Sequence, residues 1–353
     1  VAGDIQRNIL VAPLNWGLGH ATRCIPVIRQ LISRGFNPIL ASDGDALELL
    51  RKEFPQLISL QLPSYQIRYS NSAGGFRWQI LKSLPSMLRA IREERNLVDR
   101  WISEYDLHGI LSDNRPGAVS RKVPSVYMTH QVNVLSGATT WLTGKIHRNI
   151  IDKFDECWIP DFDGDIDLSG ELGHPKKRPA KIRYIGPLSR FNRLESPKNY
   201  DLTILLSGPE PQRTLLENRL TDEIKNLDRK ILIIRGKVGP KQTIITQKNV
   251  TTYNFMTADQ LQQVLPQSKI VVCRSGYTTI MDLAKLGVKS FFIPTPGQYE
   301  QEYLAKKCKA EGWAPFTSQD DFKIGDLDQC ELFSGIPPVQ SDVDWDDLFK
   351  IYA

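Results

Sequence analysis

The sequence predicts an α/β protein made of two consecutive doubly wound domains, each with a largely parallel sheet. Three observations predict it. At 353 residues the chain exceeds one comfortable hydrophobic core. Short β-rich runs alternate with stretches of helical period along its length. That alternation breaks and restarts once, at Gly186-Pro187.

In the first series Asn8 to Pro13, Asn37 to Ala41, Gly109 to Leu111, Ser125 to Thr129 and Glu156 to Pro160 read as strands. Helical patterns such as Ile25 to Ser33 and Ile80 to Trp101 lie between them. A polar, Pro-rich stretch, Gly173 to Pro179, leads into the short run Ile182 to Ile185, and the interdomain linker is placed at the reset that follows. The second series has Leu202 to Ser207, Lys230 to Arg235, Val250 to Tyr253, Ile270 to Cys273 and Ser290 to Pro294. The expected domains are therefore 1–186 and 187–342, with Val343 to Tyr352 a short helix packing back on the first, so that residues 343–353 belong with it. Two such domains are expected to face each other across a cleft, with ligand sites at the carboxyl ends of their strands.

Composition narrows the function classes. An apolar content of 41% with 24% charged residues is that of an ordinary globular chain. No run approaches the roughly 18 apolar residues of a membrane span. Five cysteines, odd in number and widely spaced, read as reduced thiols of a cytoplasmic protein. Val1 to Arg7 carries no apolar signal-peptide core. The net charge of +5 suits an anionic nucleotide or an acidic membrane face and is too weak to indicate nucleic acid.

The strand Ile9 to Pro13 turns through Asn15-Trp16-Gly17-Leu18-Gly19-His20 into a helix beginning near Ala21. Gly17 and Gly19 permit close backbone approach. His20 is placed at the helix amino end, at the mouth of the sheet, where the helix dipole favours the neutral imidazole and keeps it available as a base. The third glycine of a dinucleotide fingerprint is absent, because Thr22 and Arg23 follow instead. The run Gly109 to Asn114 brings Asp113 to the same sheet edge, where its carboxylate either orients the imidazole or caps the following turn. His130, Gln131 and Asn133 follow the next strand onto that edge. With Gly17, Gly19 and Asn114 they are the acceptor-side candidates, a polar cluster satisfying loop backbone being the plain alternative.

In the second half, Arg274-Ser275-Gly276-Tyr277-Thr278-Thr279 leads from a strand straight into the helix Ile280 to Leu286. Small and hydroxylated residues at a helix amino end present N–H groups to phosphate. Asp282, one turn in, is placed to accept from ribose hydroxyls, a helix-start carboxylate favouring the dipole being the plain alternative. Leu205 to Pro211 is a second strand running into a Gly and Pro turn, and Thr295 to Gln301 is a polar loop suited to sugar hydroxyls.

These residues, in this order over nearly the whole chain, resemble the MurG-like branch of the GT-B glycosyltransferases. The run 17–23 is similar to the branch's first glycine loop. Thr129 to Asn133 resembles its His-Glu-Gln-Asn acceptor segment, with Gln131 in place of the Glu and the Asn displaced. Val272 to Asp282 resembles its donor-binding strand, loop and helix, and Asp282 stands where the branch has a ribose-binding Glu. In the run Glu300-Gln301-Glu302-Tyr303, Gln301 matches the first of two sugar-reading glutamines and Glu302 departs at the second, which bears on N-acetylglucosamine as donor.

The resemblance implies a GT-B fold of two Rossmann-like domains and a UDP-sugar donor. It implies Ser207 and Gly208 at the phosphates, Arg190 near the nucleotide and the backbone of Met256 on uracil. Arg274, Ser275, Gly276, Thr278, Asp282, Glu300 and Gln301 complete the donor set. The missing glycine-rich loop at Leu205 to Pro211 implies a relative of MurG rather than a lipid II synthase. The implied reaction is an inverting transfer to an acceptor hydroxyl, lipid-linked in similar enzymes, with His20 as base and no cofactor or metal. The alternatives are a UDP-sugar hydrolase, since hydrolases of pseudaminic acid synthesis carry a similar Gly-x-Gly-His-x-x-Arg start, and a nucleotide-sugar-binding protein without turnover.

Two further features are weighed. The acidic run Asp161 to Asp167 lacks the glycine position and distal Glu of a calcium loop, and reads as a solvated loop with turn and cap residues. Phe76, Trp78, Ile80, Leu81, Leu84, Met87, Leu88 and Ile91 recur at helical spacing among Arg77, Lys82, Arg89 and Arg92. Core packing explains most such stripes, and a basic amphipathic surface over 76–92 that docks on the inner face of an anionic membrane is the functional reading.

Overall fold

The computed structural model describes residues 6–65, 73–134, 140–164, 166–338 and 343–353, the side chains of 73–84 and 140–143 excepted. The chain divides into two compact units, with the boundary between Leu188 and Ser189.

The first unit is built on β1 (Asn8–Pro13), α1 (Gly19–Ser33), β2 (Asn37–Ser42), α2 (Gly44–Glu53), β3 (Ser59–Gln61), α3 (Ala73–Glu104), β4 (Leu107–Asp113), β5 (Ser125–Met128), α4 (Thr140–Ile151), β6 (Glu156–Ile159) and β7 (Ile182–Tyr184). Its strands form one parallel sheet in the order β3-β2-β1-β4-β5-β6-β7. Continuous apolar runs such as Ile9-Leu10-Val11-Ala12 are what a strand covered on both faces requires, and all four residues are fully buried. On one side Leu10, Ala12, Ile39 and Ile110 pack with Val98 and Trp101 of α3. Ile182 to Tyr184, short as it is, forms the seventh strand of this sheet.

The second unit contains β8 (Tyr200–Leu205), α5 (Gln212–Ile224), β9 (Ile231–Ile234), β10 (Ile244–Gln247), β11 (Val250–Tyr253), α6 (Ala258–Val264), β12 (Ser268–Cys273), α7 (Tyr277–Leu286), β13 (Ser290–Phe292) and α8 (Tyr299–Ala310). Its sheet runs β10-β11-β9-β8-β12-β13, parallel except for β10, which pairs antiparallel with β11. Leu202, Ile204, Val272 and Phe291 pack against Leu216 and Leu220 of α5.

The last helix, α9 (Trp345–Phe349), belongs to the first unit. Phe349 meets Phe36 edge-on, with centroids 5.7 Å apart, and Tyr352 donates from its hydroxyl to Ile110 O at 3.1 Å. A Cβ on Gly109 would fall 2.2 Å from the Tyr352 ring, so a side chain there would displace the ring. Cys24, Cys157, Cys273, Cys308 and Cys330 are buried free thiols. Among the described residues no helix is long and apolar enough to cross a membrane.

Candidate active site

Open α/β sheets bind ligands where the strand order reverses, beyond the carboxyl ends of the strands. In the first unit that point lies between β1 and β4. Pro13 pairs with Asp113 across it, and Leu14 N donates to Asp113 O at 2.9 Å. The chain leaves β1 through Gly17, whose φ of +75° is in the left-handed region that favours glycine, and enters α1 at Gly19. His20 therefore stands in the first turn of α1. No acidic residue shares that turn, and the N-cap residue Leu18 makes no side-chain cap bond.

His20 Nδ1 lies 2.9 Å from Asp113 Oδ1, with the imidazole 13% exposed and the carboxylate fully buried. A third group, absent from the site residues expected from the sequence, completes the arrangement. Arg23 donates from Nε to Asp113 Oδ2 at 2.5 Å and from Nη2 to Oδ1, a two-pronged grip on the carboxylate. Burial pushes the Asp113 carboxyl up, but Arg23 and then His20 outweigh it and hold the group down at about 2. Arg23 follows His20 by three residues, the i,i+3 spacing that puts both on one helix face, and this was the available signal.

His130, just past β5, is buried, with Nδ1 2.7 Å from Arg23 Nη1. Gln131 Nε2 lies 3.5 Å from His130 Nε2. Asn133 is turned to its own loop, donating from Nδ2 to Glu171 O at 2.8 Å. Asn114, at φ +54°, accepts from the Tyr127 hydroxyl at 3.1 Å.

A second buried network anchors the same loop and was also missed. Arg115, fully buried, donates to Glu94 Oε1 at 2.5 Å, to Asp43 Oδ1 at 2.8 Å and to Pro63 O at 2.5 Å. Tyr65 donates its hydroxyl to Glu94. Asn15, in the β1–α1 loop, donates to Asp43 Oδ2 at 3.3 Å and accepts from Ala46 N at 3.3 Å. The loop carrying His20 is thereby tied to β2, α2 and α3 through paired charges.

In the second unit the order reverses between β8 and β12, where Leu205 pairs with Cys273. Ser207 and Gly208 follow β8, and Arg274, Ser275 and Gly276 follow β12. Gly208 has φ +101°, and a Cβ there would lie 3.8 Å from Thr295 Oγ1. α7 starts one turn earlier than its apolar pattern suggested, at Tyr277, so Thr278 lies in its first turn. Its N-cap is Gly276, which has no side chain, and the first turn has no acidic residue. An anion at this end would meet the positive pole of the helix with no carboxylate of that turn competing.

The side chains of three donor candidates are turned inward. Arg274 donates to Ile293 O at 3.0 Å, Pro294 O at 2.9 Å, Gln212 O at 3.0 Å and Gln319 Oε1 at 2.6 Å. Burial lowers its guanidinium to about 9. Ser275 spends its hydroxyl on Gln301 O at 2.7 Å, and Gln301 accepts from Thr295 N at 2.8 Å. All three brace the loops around β12 and β13.

Asp282 and Arg190, predicted separately, come together. Asp282 accepts from Ser189 Oγ at 2.8 Å and from Arg190 Nε at 3.2 Å. Burial raises the Asp282 carboxyl, against the opposing pull of Arg190. Met256 is buried in the turn between β11 and α6, and Glu300 is half-buried in the first turn of α8. Glu302, the departure from the branch pattern, accepts from Gly297 N at 3.1 Å.

The acidic run is not simply solvated. Asp161 is fully buried and accepts from the amides of Phe162, Leu168 and Ser169 at 2.8, 3.0 and 2.8 Å. Asp161, Asp167 and His174 converge, yet Asp161 is already saturated by amides and by His174 Nε2 at 3.3 Å, which fits a loop brace rather than a cation site. Asp165 lies outside the described residues. Of the 76–92 stripe, the side chains of Phe76 to Leu84 also lie outside them. Met87 and Ile91 pack against Leu14, Tyr65 and Ala90, while Leu88 is 54% exposed beside exposed Arg89 and Arg92.

Residues 211–330 match the glycosyltransferase family 28 C-terminal domain. Over 318 residues the chain is 22% identical to the UDP-N-acetylglucosamine--N-acetylmuramyl-(pentapeptide) pyrophosphoryl-undecaprenol N-acetylglucosamine transferase of Haemophilus ducreyi, covering 88% of this chain and 84% of that protein. Among solved structures, Acinetobacter baumannii MurG superposes with a TM-score of 0.55 at 14% identity, over 98% of this chain and 99% of that one. The glycosyltransferase SnogD from Streptomyces nogalater gives 0.62 at 13% identity, over 99% and 100%.

Proposed function

We propose that this chain, a GT-B glycosyltransferase of the MurG-like branch, transfers a sugar from a UDP-sugar to an acceptor hydroxyl with inversion at the anomeric carbon, using His20 as general base. The observation that carries the reading is the 2.9 Å contact of His20 Nδ1 with Asp113 at the strand-order reversal of the first sheet. With its Nδ1 hydrogen directed to the carboxylate, the ring keeps a lone pair on Nε2. That nitrogen takes the acceptor's proton as the oxygen attacks. The carboxylate then stabilises the imidazolium.

The leaving diphosphate is assigned to the second unit. The amino end of α7, with Gly276 as its N-cap, offers oriented N–H groups and a positive pole to the two phosphates, and Ser207 and Gly208 lie on the neighbouring strand end. Asp282, held by Ser189 and Arg190, is assigned the ribose hydroxyls, Met256 the base by its backbone, and Glu300 the donor sugar. The scheme assigns the phosphate charge to N–H groups and needs no metal.

The acceptor is assigned to the first unit, at Gly17, Gly19, Asn114, His130 and Gln131. A lipid-linked acceptor is favoured by the relatives whose names specify pyrophosphoryl-undecaprenol. With it goes a peripheral position on the inner face of the membrane, where Leu88, Arg89 and Arg92 would lie against anionic lipid. Co-sedimentation with phosphatidylglycerol vesicles tests this, and an absence of binding rejects it.

A thermal-shift screen across UDP-, GDP- and TDP-sugars tests the donor assignment, since a ligand of the folded protein raises its melting temperature. UDP-sugars are expected to give the largest shift. Product analysis then separates transfer from hydrolysis: free sugar released without any acceptor would show His20 working on water.

A further inference from the structure

Arg23 lies at the meeting point of Asp113, His20 and His130. Its guanidinium grips both oxygens of Asp113, comes within 2.9 Å of His20 Nδ1 through Nη2, and reaches His130 Nδ1 at 2.7 Å through Nη1. It is 1% exposed. A guanidinium has five donors, no acceptor, and keeps its charge at every working pH. Where it meets His130 the imidazole nitrogen must therefore accept, and the ring hydrogen goes to Nε2, where the neighbouring Gln131 amide receives it with its oxygen, the amide being turned over so that oxygen and nitrogen exchange places. His20 Nδ1 has a choice. It can donate to Asp113 Oδ1 at 2.9 Å, which leaves Nε2 with the lone pair a base needs, or accept from Arg23, which puts a hydrogen on Nε2 and disables it.

We infer that Arg23 is a positioning residue that sets the tautomers of two histidines at once, directing the ring hydrogen of His20 to Nδ1 and that of His130 to Nε2. The inference rests on the proposed role of His20 as base. By gripping the carboxylate it fixes the acceptor towards which His20 directs its hydrogen. Its charge also offsets that of Asp113, so His20 faces a paired cation and anion rather than a bare carboxylate.

The neighbours leave this balance undisturbed. From α1, the Cys24 thiol lies 3.6 Å from Asp113 Oδ2 and is raised by burial and then by Asp113, so it stays neutral. From β5, Tyr127 is raised by burial, and from α4 His147 is lowered by burial to about 4. The Arg23 cation and the Asp113 anion thus lie against His20, and the same cation lies against His130.

The test compares Arg23→Gln and Arg23→Lys with the natural protein by the pH profile of kcat/KM and by imidazole nitrogen NMR shifts. Losing the cation beside His20 is expected to move the acid limb of the Arg23→Gln profile to higher pH by about one unit or more, roughly a tenfold loss at low pH that alkali restores. His130 is expected to lose its single Nε2–H signature. Arg23→Lys, which keeps the charge and loses the fork, is expected to hold the natural midpoint with reduced kcat.

A folded Arg23→Gln protein with an unmoved midpoint and unchanged His130 shifts would overturn the inference, as would a moved midpoint in Arg23→Lys. The NMR arm needs no turnover, so it decides the role of Arg23 even if His20→Ala proves fully active and the base assignment fails.

Discussion

Replacing Asp113 by Asn is expected to remove a pH-dependent share of stability along with turnover. The carboxyl is fully buried, and although burial works against ionisation, Arg23 and His20 hold it at about 2 against an ordinary 3.8. A displacement of just under two units at about 1.36 kcal/mol each amounts to about 2 kcal/mol. Because the folded carboxyl is the more acidic, this contribution is complete above about pH 4 and is lost as pH falls towards about 2.

A second cost does not depend on pH in this range. Asn leaves the buried Arg23 charge without its partner, which typically costs roughly 3–5 kcal/mol. Urea unfolding followed by tryptophan fluorescence, from pH 5 downward, separates the two. The stability gap between the natural protein and Asp113→Asn should narrow by about 1 kcal/mol at pH 3 and by about 2 kcal/mol near pH 2. A gap that stays constant over that range would refute the view that the carboxylate is ionised and held by Arg23.

Other outcomes follow from the same coordinates. Tyr352→Ala empties a 3%-exposed site against Gly109 and Trp158 and should destabilise the first unit by about 3 kcal/mol or more in denaturant titration. Arg274→Leu takes the guanidinium donor from the buried carbonyls of Ile293 and Pro294 at about 1–3 kcal/mol each, so the second unit should melt earlier and UDP binding measured by calorimetry should weaken with it. A chelator such as EDTA should leave turnover unchanged, since the proposed scheme places the diphosphate on N–H groups.

What could be read from the sequence was whatever physical chemistry makes local. Runs such as Ile9 to Pro13 and Ile231 to Ile234 are apolar because both faces of a parallel strand are covered, so they announce themselves. β3 and β10 do not. β3 is three residues with a half-exposed polar pattern, and β10 is an exposed edge strand turning through Lys248 at φ +52°. The loop, histidine and carboxylate at the first sheet's reversal point were legible because each follows a recognisable strand.

Their partners were not, because pairing at a distance leaves no local mark. Arg115 reaches Asp43, Pro63 and Glu94 from 72, 52 and 21 residues away. Nothing in the sequence tells such a buried arginine from a solvated one. Arg274, Ser275 and Gln301 sit in the expected loops but face inward, a distinction set by side-chain direction rather than position.

The most direct measurement is steady-state sugar transfer by His20→Ala alongside its affinity for UDP. A positioned base contributes about 10²- to 10⁴-fold, so kcat/KM should fall by that factor while the dissociation constant for UDP stays at its natural value. Full turnover in the folded variant, or a loss of UDP binding equal to the loss of rate, would contradict the assignment of proton removal to the first unit and nucleotide binding to the second.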